Sequence, residues 1–288
     1  MVKVGLDESN NWIELEKGTR AGLYLDGYLK QNLDTAKTII KKDWDMIFVF
    51  DGYEGTGKSV MCMQTAFYCD PTLTIDRITF NPDDFEKAIL SAEKYQAIVL
   101  DEAYSGLSSR GAMSSINKKI VQMLTVIREK NLFIFIVLPS FFDLDKYVAV
   151  WRSRALIHVY SEKDFQRGFF KFFNTERKKN LYMLGKKFYS YKVQSPNFSG
   201  RFANMYVVDE EEYRKKKRST AMKPDDFNKS FLMSTARKVK TEIAKNLKDK
   251  SLGLTNVQVS EIMGVTTMTI HNYLKKYEEE GENTPKIL

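Results

Sequence analysis

Nine consecutive residues constrain this chain more than any others: Asp51-Gly52-Tyr53-Glu54-Gly55-Thr56-Gly57-Lys58-Ser59. From Gly52 to Ser59 they match G-x-x-x-x-G-K-[ST], the pattern of a loop that wraps phosphate. Ahead of it, Met46 to Phe50 is a short apolar run, as expected of a strand buried on both faces. Behind it, Val60, Met61, Met63, Ala66 and Phe67 recur at helical spacing. Strand, glycine loop and helix therefore follow in the order the pattern requires. Glycines at 52, 55 and 57 admit positive φ and close approach of backbone to a ligand. Successive N–H groups then form a concavity for an anion, and the helix start adds its dipole. Lys58 is expected to neutralise β- and γ-phosphates and the Ser59 hydroxyl to ligate Mg²⁺. The expected nucleotide-binding set is Gly52, Tyr53, Glu54, Gly55, Thr56, Gly57, Lys58, Ser59 and Val60, the ligand a nucleoside triphosphate.

A second fixed point is Gln96-Ala97-Ile98-Val99-Leu100-Asp101-Glu102, an apolar strand ending in two acids. Asp101 at the strand's C-terminal end is expected beside the phosphate loop, holding Mg²⁺ together with Ser59. Glu102, one residue on, is expected to activate water for attack on the γ-phosphate. Leu132 to Leu138 reads as another buried strand. It ends at Pro139-Ser140, where Ser140 either senses the γ-phosphate or is a plain strand-to-loop residue.

Elsewhere the periodicity predicts a strand at Trp12 to Leu15, a helix over Leu23 to Lys41, and a strand at Ile75 to Phe80. It predicts a helix from Pro82 with Asn81 as N-cap, a helix over Ile116 to Lys130, a short helix over Leu144 to Trp151 and a strand at Ala155 to Tyr160. Alternating strands and helices imply an α/β core with a mostly parallel sheet and its ligand at the strand C-termini. Phe169 to Phe173 and Leu181 to Tyr191 read as a basic, aromatic β-hairpin, with Asn204 to Val208 returning to the sheet. The hairpin serves either polyanion contact, through Lys171, Arg177, Lys178 and Lys179, or protection of a sheet edge. The last segment reads as three short helices with a Gly264-Val265-Thr266 turn, a helix-turn-helix pattern. Thr267, Thr269, His271, Asn272 and Lys275 would face a DNA groove, or the unit is a small protein-binding domain. The expected divisions are an N-terminal extension (1–45), the core with its hairpin extension (46–208, the hairpin over about 163–208), a charged linker (209–224) that reads either as a helix end or as a connection, and the small all-α domain (225–288).

The net charge of +8 among 288 residues is concentrated. Residues 163–223 hold sixteen basic and six acidic residues, about +10 in net, so the excess points to a polyanion near that segment. The only cysteines, Cys62 and Cys69, read as small apolar side chains on the first core helix, which excludes a disulfide framework. The longest apolar run, Leu132 to Phe142, is too short to span a bilayer. These features lead to the expectation of a cytoplasmic protein without a transmembrane segment.

The combination of Gly52–Ser59, the strand 96–102 with its terminal Asp-Glu, and the strand 132–138 resembles the additional-strand, catalytic-glutamate class of P-loop ATPases. Within it, residues 46–160 look most like the FtsK–HerA and zonular-occludens-toxin-like ATPases of DNA pumping, packaging and phage assembly. Ile127-Arg128-Glu129-Lys130-Asn131 is similar to the arginine-bearing helix that leads into their sensor strand. The resemblance implies a RecA-like core, ATP with Mg²⁺, a homo-oligomeric ring and ATP-driven handling of double-stranded DNA. It also implies an arginine supplied by a neighbouring subunit, for which Arg152 and Arg154 lead Arg110 and Arg128. The chain departs from these families in having Ser140 where a glutamine is usual, and in lacking both a membrane helix and a nuclease-like acidic cluster. The reading is an ATP-hydrolysing DNA translocase or packaging motor of a virus or mobile element. Its competitors are an ATP-switched DNA-binding regulator, replication-loader or transposition protein, a small-molecule kinase, and a membrane-associated assembly ATPase.

Overall fold

Two units divide the chain, Met1–Ala221 and Met222–Leu288. The structure, a computed structural model, describes residues 2–7, 11–15, 22–101, 110–220, 240, 243–244, 247, 254–272 and 274. In chain order the first unit carries β1 (Val2–Leu6), β2 (Trp12–Glu14), β3 (Leu23–Leu25), α1 (Gly27–Ile40), β4 (Met46–Asp51) and α2 (Lys58–Cys69). Then follow β5 (Ile78–Thr79), α3 (Pro82–Ser91), β6 (Ala97–Asp101), α4 (Arg110–Glu129), β7 (Phe133–Val137) and β8 (Ala155–Tyr160). It closes with β9 (Phe169–Phe173), α5 (Thr175–Gly185), β10 (Phe198–Arg201) and α6 (Glu210–Thr220).

The main sheet has seven strands in the order β10-β9-β8-β4-β7-β6-β5. The five from β8 to β5 run parallel, and β9 and β10 add antiparallel partners at one edge. Every residue of β4, β6 and β7 is buried. Alternation along a strand explains their unbroken apolar sequences. Phe48 and Phe50 of β4 join Phe133 and Phe135 of β7 in the layer shared with α1 and α2. Ile47 and Val49 join Ile134 and Ile136 in the layer shared with α3 and α4. The N-terminal segment belongs to the first layer: β1, β2 and β3 form a small antiparallel sheet, and Leu29, Leu33, Ala36 and Ile40 of α1 are buried there. Asp26 caps α1 by accepting from the Tyr28 and Leu29 amides.

Local sequence explains most boundaries. Asn81 caps α3 by accepting from Asp84 N at 2.8 Å, with Pro82 at the first helical position. The expected strand over 75–80 is reduced to β5, preceded by a 3₁₀ turn at Ile75–Arg77. The helix expected over 144–151 is a π-helical turn, Tyr147–Arg152. Residues 204–208 form no strand.

The expected hairpin of 169–173 with 181–191 is corrected. β9 pairs instead with β8 and with β10, and residues 175–185 are helical. Asn174 accepts from Arg177 N, Glu176 sits in the first turn, and Lys178, Leu181, Tyr182 and Gly185 fall on one buried face at helical spacing. Lys178 therefore leaves the set of expected DNA contacts. Its fully buried ammonium donates to Ala149 O at 2.6 Å and Val150 O at 3.0 Å, closing the π-helical turn.

In the second unit, α7 (Asn256–Met263) opens with a reciprocal capping box between Thr255 and Gln258 and ends at Gly264, φ 61°. Residues 267–272 are again helical. Ala244, Val259 and Ile270 form its small core. Val257 and Ile262 of this helix are exposed. Among the described residues no helix is long and apolar enough to cross a membrane.

Burial lowers the Lys178 ammonium to a pKa of about 7 from its ordinary 10.5. Between those two values the unfolded chain holds a proton that the folded chain has released, so folding stability rises with pH across that window. Denaturant titrations from pH 6 to 10.5 should show wild type gaining stability relative to Lys178→Met as pH rises. A constant difference across the window would refute the assignment.

Candidate nucleotide-binding site

The glycine loop leaves the C-terminal end of β4 and closes on itself before α2 begins. Gly52, Gly55 and Gly57 all take positive φ, at 137°, 76° and 94°. Gly52 has a second reason to be glycine, since a Cβ there would lie 1.9 Å from Val159 O on β8. The buried Thr56 turns its hydroxyl onto Tyr53 O at 2.8 Å. Gly57 is the residue before α2, so the first amides of that helix face the loop's hollow. Lys58, almost wholly buried, donates to Gly52 O at 2.8 Å and Tyr53 O at 2.9 Å. Tyr53 is the loop's exposed tip, and Val60 lines the cavity at the start of α2.

Asp51, just before the loop, is fully buried and bonded on both oxygens. One lies 2.9 Å from His158 Nδ1; the other accepts from Phe141 N at 2.9 Å and from the Tyr191 hydroxyl. The His158 and Tyr191 rings stack at 4.1 Å. This carboxylate joins the ends of β4 and β8 to the turn after β7. In that turn Ser140 caps a 3₁₀ helix, its Oγ accepting from Phe142 N at 3.3 Å.

Two expected metal ligands meet. Ser59 Oγ donates to Asp101 Oδ1 at 2.8 Å, although α2 and β6 are separated by 42 positions in sequence. A hydroxyl and one carboxylate at the mouth of a phosphate loop fit Mg²⁺, which takes one or two protein oxygens and completes its shell from phosphates and water. When bound, the ion would neutralise and align the phosphate oxygens. Glu102 lies outside the described residues.

Sequence reasoning missed the other wall of this site. The stretch expected as a linker is, over Glu210–Thr220, the helix α6. Its Tyr213 is buried, packs on Phe80 and donates its hydroxyl to Asp101 Oδ2. Burial, and then the Asp101 carboxylate, push this phenol well above its ordinary pKa, which keeps it a donor. Lys217 Nζ stands 3.6 Å from the same oxygen. A readable signal was present: three acids in the first turn, Glu210 to Glu212, and Lys217 and Arg218 in the last, the polarity a helix dipole favours. Between the loop and α6 lies a cavity of about 960 Å³. Arg167, Arg214, Lys217 and Arg218 line it, with Glu54 as the one acid on its wall among the described residues. A polyanion of triphosphate size fits that charge and volume.

Arg152 and Arg154 lie elsewhere. The π-helical turn carries the chain back to the N-terminal ends of the strands, on the order of 20 Å along β4 from the loop. There Arg152 pairs with Asp45 at 2.5 Å, and Arg154 covers the Trp44 ring at 4.7 Å. Neither reaches the phosphate loop of its own chain. Of the expected DNA contacts, Lys171 lies over the Tyr160 ring and Lys179 over the exposed Trp151. Arg177 donates to Ser195 O and Pro196 O. In the second unit Thr267, His271 and Asn272 are exposed, while Thr269 Oγ1 lies 2.9 Å from Thr266 Oγ1. Lys275 lies outside the described residues.

No protein-family profile matches the sequence, and no curated protein does so significantly. Among solved structures, the chain is similar to the N-terminal domain of zonular occludens toxin from Neisseria meningitidis. That likeness has a TM-score of 0.33 and 15% identity, over 59% of this chain and 98% of that one.

Tyr213 and Lys217 face the carboxylate that would hold a divalent ion. Tyr213→Phe should destabilise the ligand-free protein by about 1–3 kcal/mol, because a buried carboxylate loses a donor. The same variant should gain more thermal stability than wild type from Mg²⁺ with a non-hydrolysable triphosphate. Equal gains would show that the hydroxyl does not compete with the ion.

Proposed function

We propose that this chain is a Mg²⁺-dependent ATPase of the P-loop class that acts on DNA. The observation that carries the nucleotide reading is the 2.8 Å bond between Ser59 and Asp101, made across two separate elements at the mouth of a cationic cavity.

The finer reading is a cytoplasmic, ring-forming translocase or packaging motor on double-stranded DNA, of the kind the FtsK–HerA and zonular-occludens-toxin-like resemblance implies. It is supported by the basic excess of residues 163–223, by exposed cation–aromatic pairs such as Lys179 on Trp151, and by the exposed polar face of 267–272 after a glycine turn. In this reading the second unit is a helix-turn-helix that recruits DNA or a protein partner, and a neighbouring subunit contributes an arginine.

One observation favours an ATP-switched DNA-binding protein as the second reading. Helix α6 bonds to the Mg²⁺-ligand carboxylate and ends at Thr220, immediately before the second unit begins. A change at Asp101 is therefore transmitted to the segment that leads into that unit.

The test is ATP hydrolysis with and without double-stranded DNA at several salt concentrations. Wild type should be stimulated by DNA. Lys58→Ala should lose nucleotide binding, and Glu102→Gln should keep binding while hydrolysis falls by about a hundredfold or more. Hydrolysis that ignores both DNA and Glu102→Gln would remove the DNA-coupled reading. Movement of a DNA-bound obstacle would separate motor from switch.

A further inference from the structure

Residues 202–206 follow β10 along α2, with a tight turn at Asn204 in which Met205 N donates to Ala203 O at 3.0 Å. The buried Gln64 of α2 donates to Ala203 O and to Met205 O, each at 2.7 Å. Phe202 N donates to Gly168 O at 2.9 Å. One face of the segment is thereby fixed to the helix that begins with Lys58. The Phe202, Asn204 and Tyr206 side chains line the nucleotide cavity. The Phe202 ring rests against Gly57, where a Cβ would meet it at 3.1 Å. Tyr206 is occupied by its ring contact with Tyr213 and by Arg214. Asn204 is exposed and makes no hydrogen bond among the described residues.

Accepting the nucleotide reading above, on which this step rests, we infer that Phe202 and Asn204 form the base-reading wall of the site and select adenine. Phosphates seated on the loop amides leave the nucleoside to extend past Val60 along the start of α2, where this wall stands. A half-buried phenylalanine ring offers a stacking face that any base can use. Selection then falls to the carboxamide, which presents one acceptor beside one donor. That pair complements an adenine edge, where an amino group adjoins a ring-nitrogen acceptor. The wall shares a rigid helix with the phosphate loop, so base and phosphate subsites are held at a fixed distance. A carboxylate at position 204 would instead accept from the two adjacent donors of guanine.

The experiment is displacement of a ribose-labelled fluorescent ATP from the full chain by ATP, GTP or tripolyphosphate. Wild type should prefer ATP over GTP by roughly tenfold or more, and Asn204→Asp should erase or invert that ratio. Phe202→Ala should weaken ATP about tenfold. Neither change should alter displacement by tripolyphosphate, which has no base. Asn204 is exposed and unbonded among the described residues, so its replacement spares the fold. An ATP-to-GTP ratio unchanged by Asn204→Asp, or equal losses of ATP and tripolyphosphate in Phe202→Ala, would overturn the base-reading assignment alone. A wild-type chain that binds neither the labelled ATP nor tripolyphosphate would overturn the nucleotide reading, and this inference with it.

Discussion

A fully buried carboxylate must be compensated, and the arrangement of this site follows from how Asp101 is compensated. Removing such a charge from water costs on the order of several kcal/mol unless donors replace the solvent. Here the donors come from elements far apart in sequence. Ser59 at the start of α2 takes one oxygen; Tyr213 of α6 takes the other, with Lys217 beside it. The seat of α6 over the sheet, and hence the cavity between α6 and the loop, depends on that carboxylate. A divalent ion held by the same carboxylate would compete with those donors for its charge.

The loop was legible because its chemistry is carried by backbone. Positive φ at three positions, a helix start and a lysine that reaches back over the turn can be met by few sequences, so the spacing of Gly52, Gly57, Lys58 and Ser59 is informative by itself. The central strands were legible for a related reason. A strand covered by helices on both faces has no polar alternation, and β4, β6 and β7 are unbroken apolar runs in sequence.

The walls of the site were not legible, because nothing in their composition separates a working surface from a solvated one. Residues 181–191 read as a strand joined to 169–173 around 174–180, yet Asn174 and the spacing of Lys178, Leu181, Tyr182 and Gly185 specify a helix over 175–185. The lysine in that set hid the periodicity: its ammonium is buried only because two carbonyls of the π-helical turn receive it. Helix α6 was hidden in the same way. A run of acids followed by a run of bases resembles a linker until Tyr213 is seen to be its single buried side chain. The 202–206 segment has no strand partner, and its Ala203 and Met205 carbonyls accept from one glutamine side chain, a long-range event that local pattern does not encode.

The same geometry changes what the chain's basic excess means. Residues 163–223 carry sixteen cations, and a polyanionic partner was the direct inference from that number. Seven of them are committed within the first unit. Arg167, Arg214, Lys217 and Arg218 line the nucleotide cavity, Lys178 is buried, Arg177 is bonded to Ser195 O and Pro196 O, and Lys216 to Ile75 O. A large part of the charge therefore lines the candidate nucleotide cavity or is taken up by contacts within the first unit. Attraction to a large polyanion falls to surface groups such as Lys171, Lys179, Lys186 and Lys187, three of which sit over exposed or half-exposed rings. With Arg152 and Arg154 tied to the N-terminal ends of the strands, the cations that line the cavity are Lys58 of the loop, Arg167, and Arg214, Lys217 and Arg218 of α6, not the arginines after the sensor strand. The part of the chain that looked most like a DNA-binding appendage supplies in good measure the wall of the candidate nucleotide site.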